Sequence, residues 1–182
     1  YWGCENVDST STAYGKWRGM LHRCYNEKIY NKYPEYKGCT VSDEWKNFSN
    51  FRYWYEKNNY GGSSLNLDKD ILYKGNKKYG PENCCLVPGF INTLFTNGKA
   101  NRGELPLGVY KEEKGGDTCY RACMAVNGKN IKLGTFKTPE EAFQKYKEYK
   151  EQYIKDTAKR YKDKIPYSVY EAMMNWKIEI TD

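Results

Sequence analysis

The chain has 182 residues with 30 Lys+Arg against 23 Asp+Glu, a formal net charge of +7, which favours an anionic partner and nucleic acid first. Charged residues make up 29% of it, and no apolar run approaches membrane-spanning length, which counts against a membrane partner. Aliphatic content is low, but aromatics reach 16%, with 19 Tyr and 5 Trp, enough rings to build the cores of one or two small domains.

The sequence opens on Tyr1 rather than methionine, so an upstream piece is expected to have been removed or left out, and no secretory leader is expected. Asp8 to Tyr25 reads as a helix. Ser9, Thr10 and Ser11 offer N-caps, and Tyr14, Trp17, Leu21, Cys24 and Tyr25 make its apolar face. A tyrosine-rich polar loop follows through Tyr33-Pro34-Glu35-Tyr36, then a short strand at Cys39-Thr40-Val41. Ser42 caps a second helix predicted from Asp43 to about Asn58, with Trp45, Phe48, Phe51 and Trp54/Tyr55 inward. Gly61-Gly62-Ser63-Ser64 ends this unit.

A hairpin comes next. Leu67 to Leu72 is one predicted strand and Cys84 to Val87 its partner, with a tight turn at Lys74-Gly75-Asn76-Lys77. Pro88-Gly89 breaks the pattern, and Phe90 to Thr96 begins a short helix carrying Asn92. From about Asn97 to Leu105 runs a basic, flexible linker that includes Arg102 and can track a phosphate backbone.

The rest reads as a sheet on a helix. Gly108-Val109-Tyr110 opens one strand and Tyr120 to Val126 is a second. Asn127-Gly128 is the strongest hairpin signal in the chain, and Asn130 to Phe136 is the third strand. On the second strand Tyr120, Ala122, Met124 and Val126 share one face, and Arg121, Cys123 and Ala125 the other. Thr138-Pro139-Glu140-Glu141 carries a capping box, and Ala142, Tyr146, Tyr149 and Tyr153 form the sheet-facing stripe of the helix it starts. Lys155 to Lys164 reads as an exposed extension, broken by Ile165-Pro166. Ser168 to Trp176 and Lys177 to Ile180 read as a closing helix and short strand, with Met173 and Trp176 docked on one module.

Seven cysteines cannot all pair within the chain. There is no Cys-x-x-Cys, and a dispersed site from Cys24, Cys39 and Cys84 is a weak option, so structural zinc is not expected. Reduced, mostly buried thiols in an intracellular protein, in the cytoplasm of a bacterial host, are the expectation.

Leu67-Asp68-Lys69-Asp70, Gly75-Asn76, Tyr79, Pro81-Glu82-Asn83-Cys84 and Asn92, in strand–loop–strand–helix order, resemble the HNH (ββα-metal) endonucleases of phages and mobile elements. The preceding run, from Trp17 through Tyr36, Gly38, Val41, Glu44-Trp45, Phe48 and Phe51, is similar to the segment before the hairpin in a group of phage HNH-like proteins. The resemblance implies Asp68 and Asn92 as ligands of Mg2+ or another divalent metal if the protein cuts, Asn83 as the residue that orients the hairpin, and Lys69 in the place of the family's general-base histidine. A base must be unprotonated near pH 7, whereas lysine's reference pKa is about 10.4, so a phosphate contact suits Lys69 better. The single histidine, His22, reads as a polar position on a helix surface.

Gly108-Val109-Tyr110, Tyr120-x-Ala122-x-Met124, Leu133-Gly134-Thr135-Phe136, Thr138, Glu140-Glu141-Ala142 and Tyr146 resemble the DNA-binding domain of plant ethylene-response (Apetala-type) factors, which also occurs in phage HNH endonucleases. Tyr120 departs from it, standing where a tryptophan is usual. The resemblance implies that the sheet enters the major groove of double-stranded DNA, with Tyr110, Lys111, Arg121 and Lys132 making the contacts and Lys114 and Lys129 flanking them.

The expected fold class is α+β: an HNH-like module over 1–97, with its hairpin–helix core at about 65–96, a linker over 98–105, and a sheet-plus-helix DNA-binding domain with a C-terminal extension over 106–182. The expected function is that of a DNA-binding protein related to phage homing endonucleases, as a metal-dependent nickase with a His-to-Lys altered site. The alternative is a catalytically inactive DNA-binding regulator or a phage inhibitor that binds a host defence protein.

Overall fold

The computed structural model describes residues 12–61, 64–96, 103–126 and 128–182. The expected caps Ser9, Thr10 and Ser11, the Gly62-Ser63 pair, Arg102 with most of the linker, and Asn127 lie outside the described residues. The architecture is mixed helix and sheet. The chain divides into two units, Tyr1–Thr96 with Ile165–Ala172, and Asn97–Lys164 with Met173–Asp182. Ile165–Ala172 groups with the first unit.

In the first unit, α1 (Thr12–Tyr25) buries Ala13, Trp17, Met20 and Cys24, a stripe of four-, three- and four-residue steps. This corrects the expected face. Tyr14 and Leu21 only flank the core, and Tyr25 is 51% exposed. Its hydroxyl accepts the Val41 N–H at 3.2 Å. In the expected loop, Asn26 caps an unforeseen helix, α2 (Glu27–Lys32), and Pro34–Tyr36 forms a 3-10 turn.

β1 (Thr40–Val41) leads into α3 (Asp43–Lys46) and α4 (Phe48–Asn58), where the sequence suggested one helix. Asn47 divides them. Its backbone is extended, at φ −89° and ψ 122°, and its side chain accepts the Ser49 N–H at 2.8 Å, so it restarts the helix as a new N-cap. Trp45, Phe48, Phe51 and Tyr55 are buried as expected, and Trp17 Nε1 donates to the Trp45 carbonyl at 2.7 Å, tying α1 to α3. Trp45 meets Phe51 edge-on at 5.0 Å and Trp54 at 4.6 Å, favoured geometries for ring pairs.

β2 (Leu65–Asp68) pairs antiparallel with β4 (Cys85–Pro88), with Leu65 opposite Pro88 and Asp68 opposite Cys85. β3 (Lys78–Tyr79) lies parallel to β1. The first hairpin strand starts and stops earlier than its hydrophobic pattern suggested. Asp68 Oδ1 accepts the N–H groups of Asp70 and Ile71 at 2.8 and 2.7 Å, which turns the chain out of the ladder. Pro88 starts α5 (Gly89–Leu94), which packs on β2 and β4.

In the second unit, β5 (Val109–Lys114), β6 (Asp117–Val126) and β7 (Lys129–Phe136) form one antiparallel sheet in the order β5-β6-β7. α6 (Pro139–Tyr161) packs across it. Thr138 and Glu141 form the capping box read from the sequence. Gly108 has φ +76°, and a Cβ there would lie 2.1 Å from the Tyr146 ring, so the strand enters flush against α6 only because that residue has no side chain. The helix stripe differs from expectation. Ala142, Phe143, Tyr146, Lys150, Ile154, Thr157 and Ala158 are buried, whereas Tyr149 and Tyr153 are half-exposed beside them. The helix therefore runs into the predicted extension as far as Tyr161, and Thr157 and Ala158 are buried there where an exposed face was expected.

α7 (Tyr167–Asn175) follows. Lys177 to Ile180, expected as a short strand, forms none and ends in a turn. Its anchor is Glu151, whose carboxylate accepts the Ile178 N–H at 2.9 Å and faces Lys177 at 3.5 Å, with Ile178 2% exposed.

Candidate functional site

Strand alternation decides what the hairpin residues can do. Leu65 and Leu67 point into the aromatic core, and Lys69 follows them on that side, only 5% exposed. Its ammonium meets both Asp70 oxygens at 2.8 and 2.7 Å and the Asn76 carbonyl at 2.7 Å. Those three acceptors use its three protons. This corrects the expectation of a phosphate contact: Lys69 is an internal pin between β2 and the following turn. Asn76 completes it, donating to the carbonyls of Lys69 and Lys78 at 2.9 and 2.8 Å and accepting the Lys78 N–H at 2.9 Å. Asn76 and Asp70 carry more of this loop than the sequence disclosed. The Gly75-Asn76 pair is its visible signal, which the sequence shows as a turn and as part of the nuclease-like motif but not as the partner of Lys69.

Asn66 and Asp68 occupy the opposite face of β2. A Cβ on Gly89 would sit 3.4 Å from Asn66 Nδ2, so the start of α5 overlies that face. Lys16 Nζ donates to Asn66 Oδ1 at 3.3 Å. Burial raises the pKa of the Asp68 carboxyl above its usual range, opposed by the two backbone N–H groups it accepts. Asn92 stands on α5, and its Oδ1 is sealed from solvent without a hydrogen-bond donor. Asn83 is tethered weakly, its Nδ2 lying 3.5 Å from the Lys78 carbonyl. His22 is exposed on α1, 3.2 Å from Asn26 Nδ2.

The donor chemistry fits a hard cation in a limited way. Asp68 offers carboxylate oxygen and Asn92 an orphaned amide oxygen, the ligand types that Mg2+ takes. Among the described residues, no group of three or more His, Cys, Asp or Glu is placed to hold a metal ion. A cation held by Asp68 and Asn92 would therefore keep much of its water. Cys24, Cys39 and Cys84 are all buried within the aromatic core, and burial pushes the Cys24 and Cys84 thiols up to about 12.

The sheet of the second unit presents the other candidate site. Val109, Ala122 and Met124 are buried. The register sets Tyr110, Arg121 and Thr135 in one row across the opposite face, with Cys123 and Lys132 paired in the next. The ladder shifts between Ala122 and Cys123, so Leu133 is the extra residue of β7 and Lys132 stays on Arg121's side. Arg121 lies 5.8 Å over the Tyr110 ring and pairs with Glu112 at 2.5 Å. Its Nε is buried with no partner. Tyr110, Arg121 and Lys132 thus share a surface. Lys111 does not. It alternates with Tyr110, falls on Val109's side and lies 3.9 Å from Glu113. Lys114 shares Tyr110's parity at the far end of β5, and Lys129 falls on the helix side.

The chain matches no protein-family model, no curated protein and no solved structure. Among the described residues, no helix is long and apolar enough to cross a membrane.

Proposed function

We propose that this protein binds double-stranded DNA through the open face of its three-stranded sheet. The observation that carries this reading is the row Tyr110–Arg121–Thr135 with Lys132 beside it, on a sheet whose other face is covered by α6. A β-ribbon can enter a major groove, where Arg reads guanine and Lys meets phosphate. Small neighbours, Cys123 and Ala125, let the duplex approach. Glu112 holds the guanidinium in place before binding and accepts from a cytosine amino group once engaged.

The hairpin module, in this reading, is related to the HNH nucleases but has replaced the catalytic base with a structural ion pair. The unpartnered Asn92 oxygen favours one further reading: Asp68 and Asn92 would hold a divalent ion, which would supply Lewis-acid activation of the water needed for strand nicking. Duplex binding is tested by fluorescence anisotropy across a salt series. Arg121→Ala raises Kd by about 5- to 150-fold, the range of one specific base contact, and Lys132→Ala lowers the salt slope by about 1. Unchanged affinity in both variants refutes the sheet as the binding face. Incubating supercoiled plasmid with Mg2+ or Mn2+ tests nicking, which Asp68→Ala must abolish if this site performs it.

A further inference from the structure

The first unit carries a second charged surface, made from two segments distant in sequence. Thr40 N–H donates to the Lys77 carbonyl at 2.8 Å and Lys77 Nζ donates to the Glu35 carbonyl at 2.6 Å, which lays the turn around residues 73–78 against the stretch 27–37. Lys28, Lys32, Lys37, Lys74, Lys77 and Lys78 are all exposed, against the exposed acids Glu27 and Glu35. The local balance of six cations and two anions is therefore +4. Among the described residues no carboxylate lies within 4.0 Å of Lys28, Lys32, Lys37 or Lys78. Elsewhere in the unit Lys46 is paired with Asp43 and Arg52 with Glu56.

Aromatic rings are interleaved with these lysines. Tyr33 is 41% exposed and Tyr73 59%. Lys32 Nζ lies 5.2 Å over the Tyr33 ring, Tyr33 meets Tyr36 at 6.4 Å, and Arg23 lies 5.7 Å over Tyr36 and 5.4 Å over Tyr79. The cation stacks fix the inner rings, while Tyr33 and Tyr73 keep much of their surface open to solvent. Unpaired lysines attract a phosphate backbone, and open rings give unstacked bases a partner that duplex bases do not need.

We propose that this lysine–tyrosine surface binds single-stranded nucleic acid. It is a separate site from the sheet face and does not depend on the duplex reading. The test uses the full chain and a fluorescein-labelled oligothymidylate, with a duplex of equal length as control, read by anisotropy from 50 to 300 mM salt. Lys28→Gln, Lys32→Gln, Lys37→Gln and Lys78→Gln combined reduce the single-strand salt slope by about 3, given about 0.7 per phosphate contact. Tyr73→Ala weakens single-strand binding about 5- to 150-fold, the range for one lost base stack, while Tyr73→Phe keeps the ring and the affinity. Arg121→Ala leaves single-strand binding unchanged, which separates failure here from failure of the sheet reading. An unchanged salt slope in the fourfold variant overturns the proposal. So does an equal loss for strand and duplex in Tyr73→Ala, or a Tyr73→Phe variant as weak as Tyr73→Ala.

Discussion

Lys150 offers a quantitative test of the second unit's core. It sits on the buried stripe of α6, 8% exposed, and desolvation alone lowers its pKa from 10.5 to about 8. The unfolded chain therefore holds that proton more tightly than the folded one. Between pH 8 and 10.5 the unfolded state binds more protons, so stability rises with pH across that window and the penalty is greatest below it. The drop from 10.5 to about 8 corresponds to about 3 kcal/mol at pH 7, at roughly 1.36 kcal/mol per tenfold change in proton affinity. At pH 9.5 the unfolded lysine is still mostly charged and the folded one neutral, and about 1–2 kcal/mol of penalty remains. Lys150→Met keeps a long flexible stem without the ammonium. It should raise the urea midpoint of the second unit, by about 3 kcal/mol in free energy at pH 7 and about 2 kcal/mol less at pH 9.5. The difference between variant and parent cancels the other groups that titrate in this range. A difference that stays constant with pH would show that Lys150 is no harder to charge in the folded protein, and the reasoning from burial would fail.

Two further predictions concern the first unit and the thiols. Asp70→Asn should cost about 1–3 kcal/mol, more than Lys69→Met, because it leaves a buried ammonium facing an amide and one carbonyl, whereas the second change removes the charge itself. Denaturant melts of both variants give the order, and the reverse order would mean that the lysine stem rather than the ion pair holds the loop. Among the described cysteines, Cys119 and Cys123 are half-exposed and Cys24, Cys39, Cys84 and Cys85 are buried. A disulfide reagent at pH 8 should label the first two quickly in the native protein and the others only on unfolding, since burial keeps those thiols protonated. Labelling at Cys123, which faces Lys132 across the ladder, should also block duplex binding. Fast native labelling of Cys84 detected by peptide mass mapping would contradict the packing of the hairpin.

The sequence disclosed elements best where one local force dominated. The capping box at Thr138 and Glu141, the alternation of Arg121 with Ala122, and the inward run Trp45, Phe48, Phe51 needed only period and cap chemistry. It misled where a side chain overruled the backbone pattern. Asn47 splits a helix that the apolar spacing reads as continuous, and Asp68 ends a strand whose hydrophobicity runs on to Leu72. Lys69 is the sharpest case. Its charge suggested an outward contact, but the two-residue period set by Leu65 and Leu67 turns it inward, and only Asp70 beside it and Asn76, brought back by the turn seven residues on, make that tolerable. Lys111 erred for the same reason, since proximity to Tyr110 in sequence means opposite faces in a strand. The stripe on α6 drifted because several residues there are tyrosines, and a ring with a polar tip fits either side of a boundary.

Asn76 has a consequence for the ageing of the protein. Its side-chain nitrogen donates to two carbonyl oxygens. Hydrolysis of that amide to an acid would exchange the donor for a negative oxygen aimed at both. The chemical change amounts to about one mass unit, yet it would unfasten the loop that seats the Lys69 ammonium, so slow deamidation at this one position would work as a clock on the integrity of the hairpin.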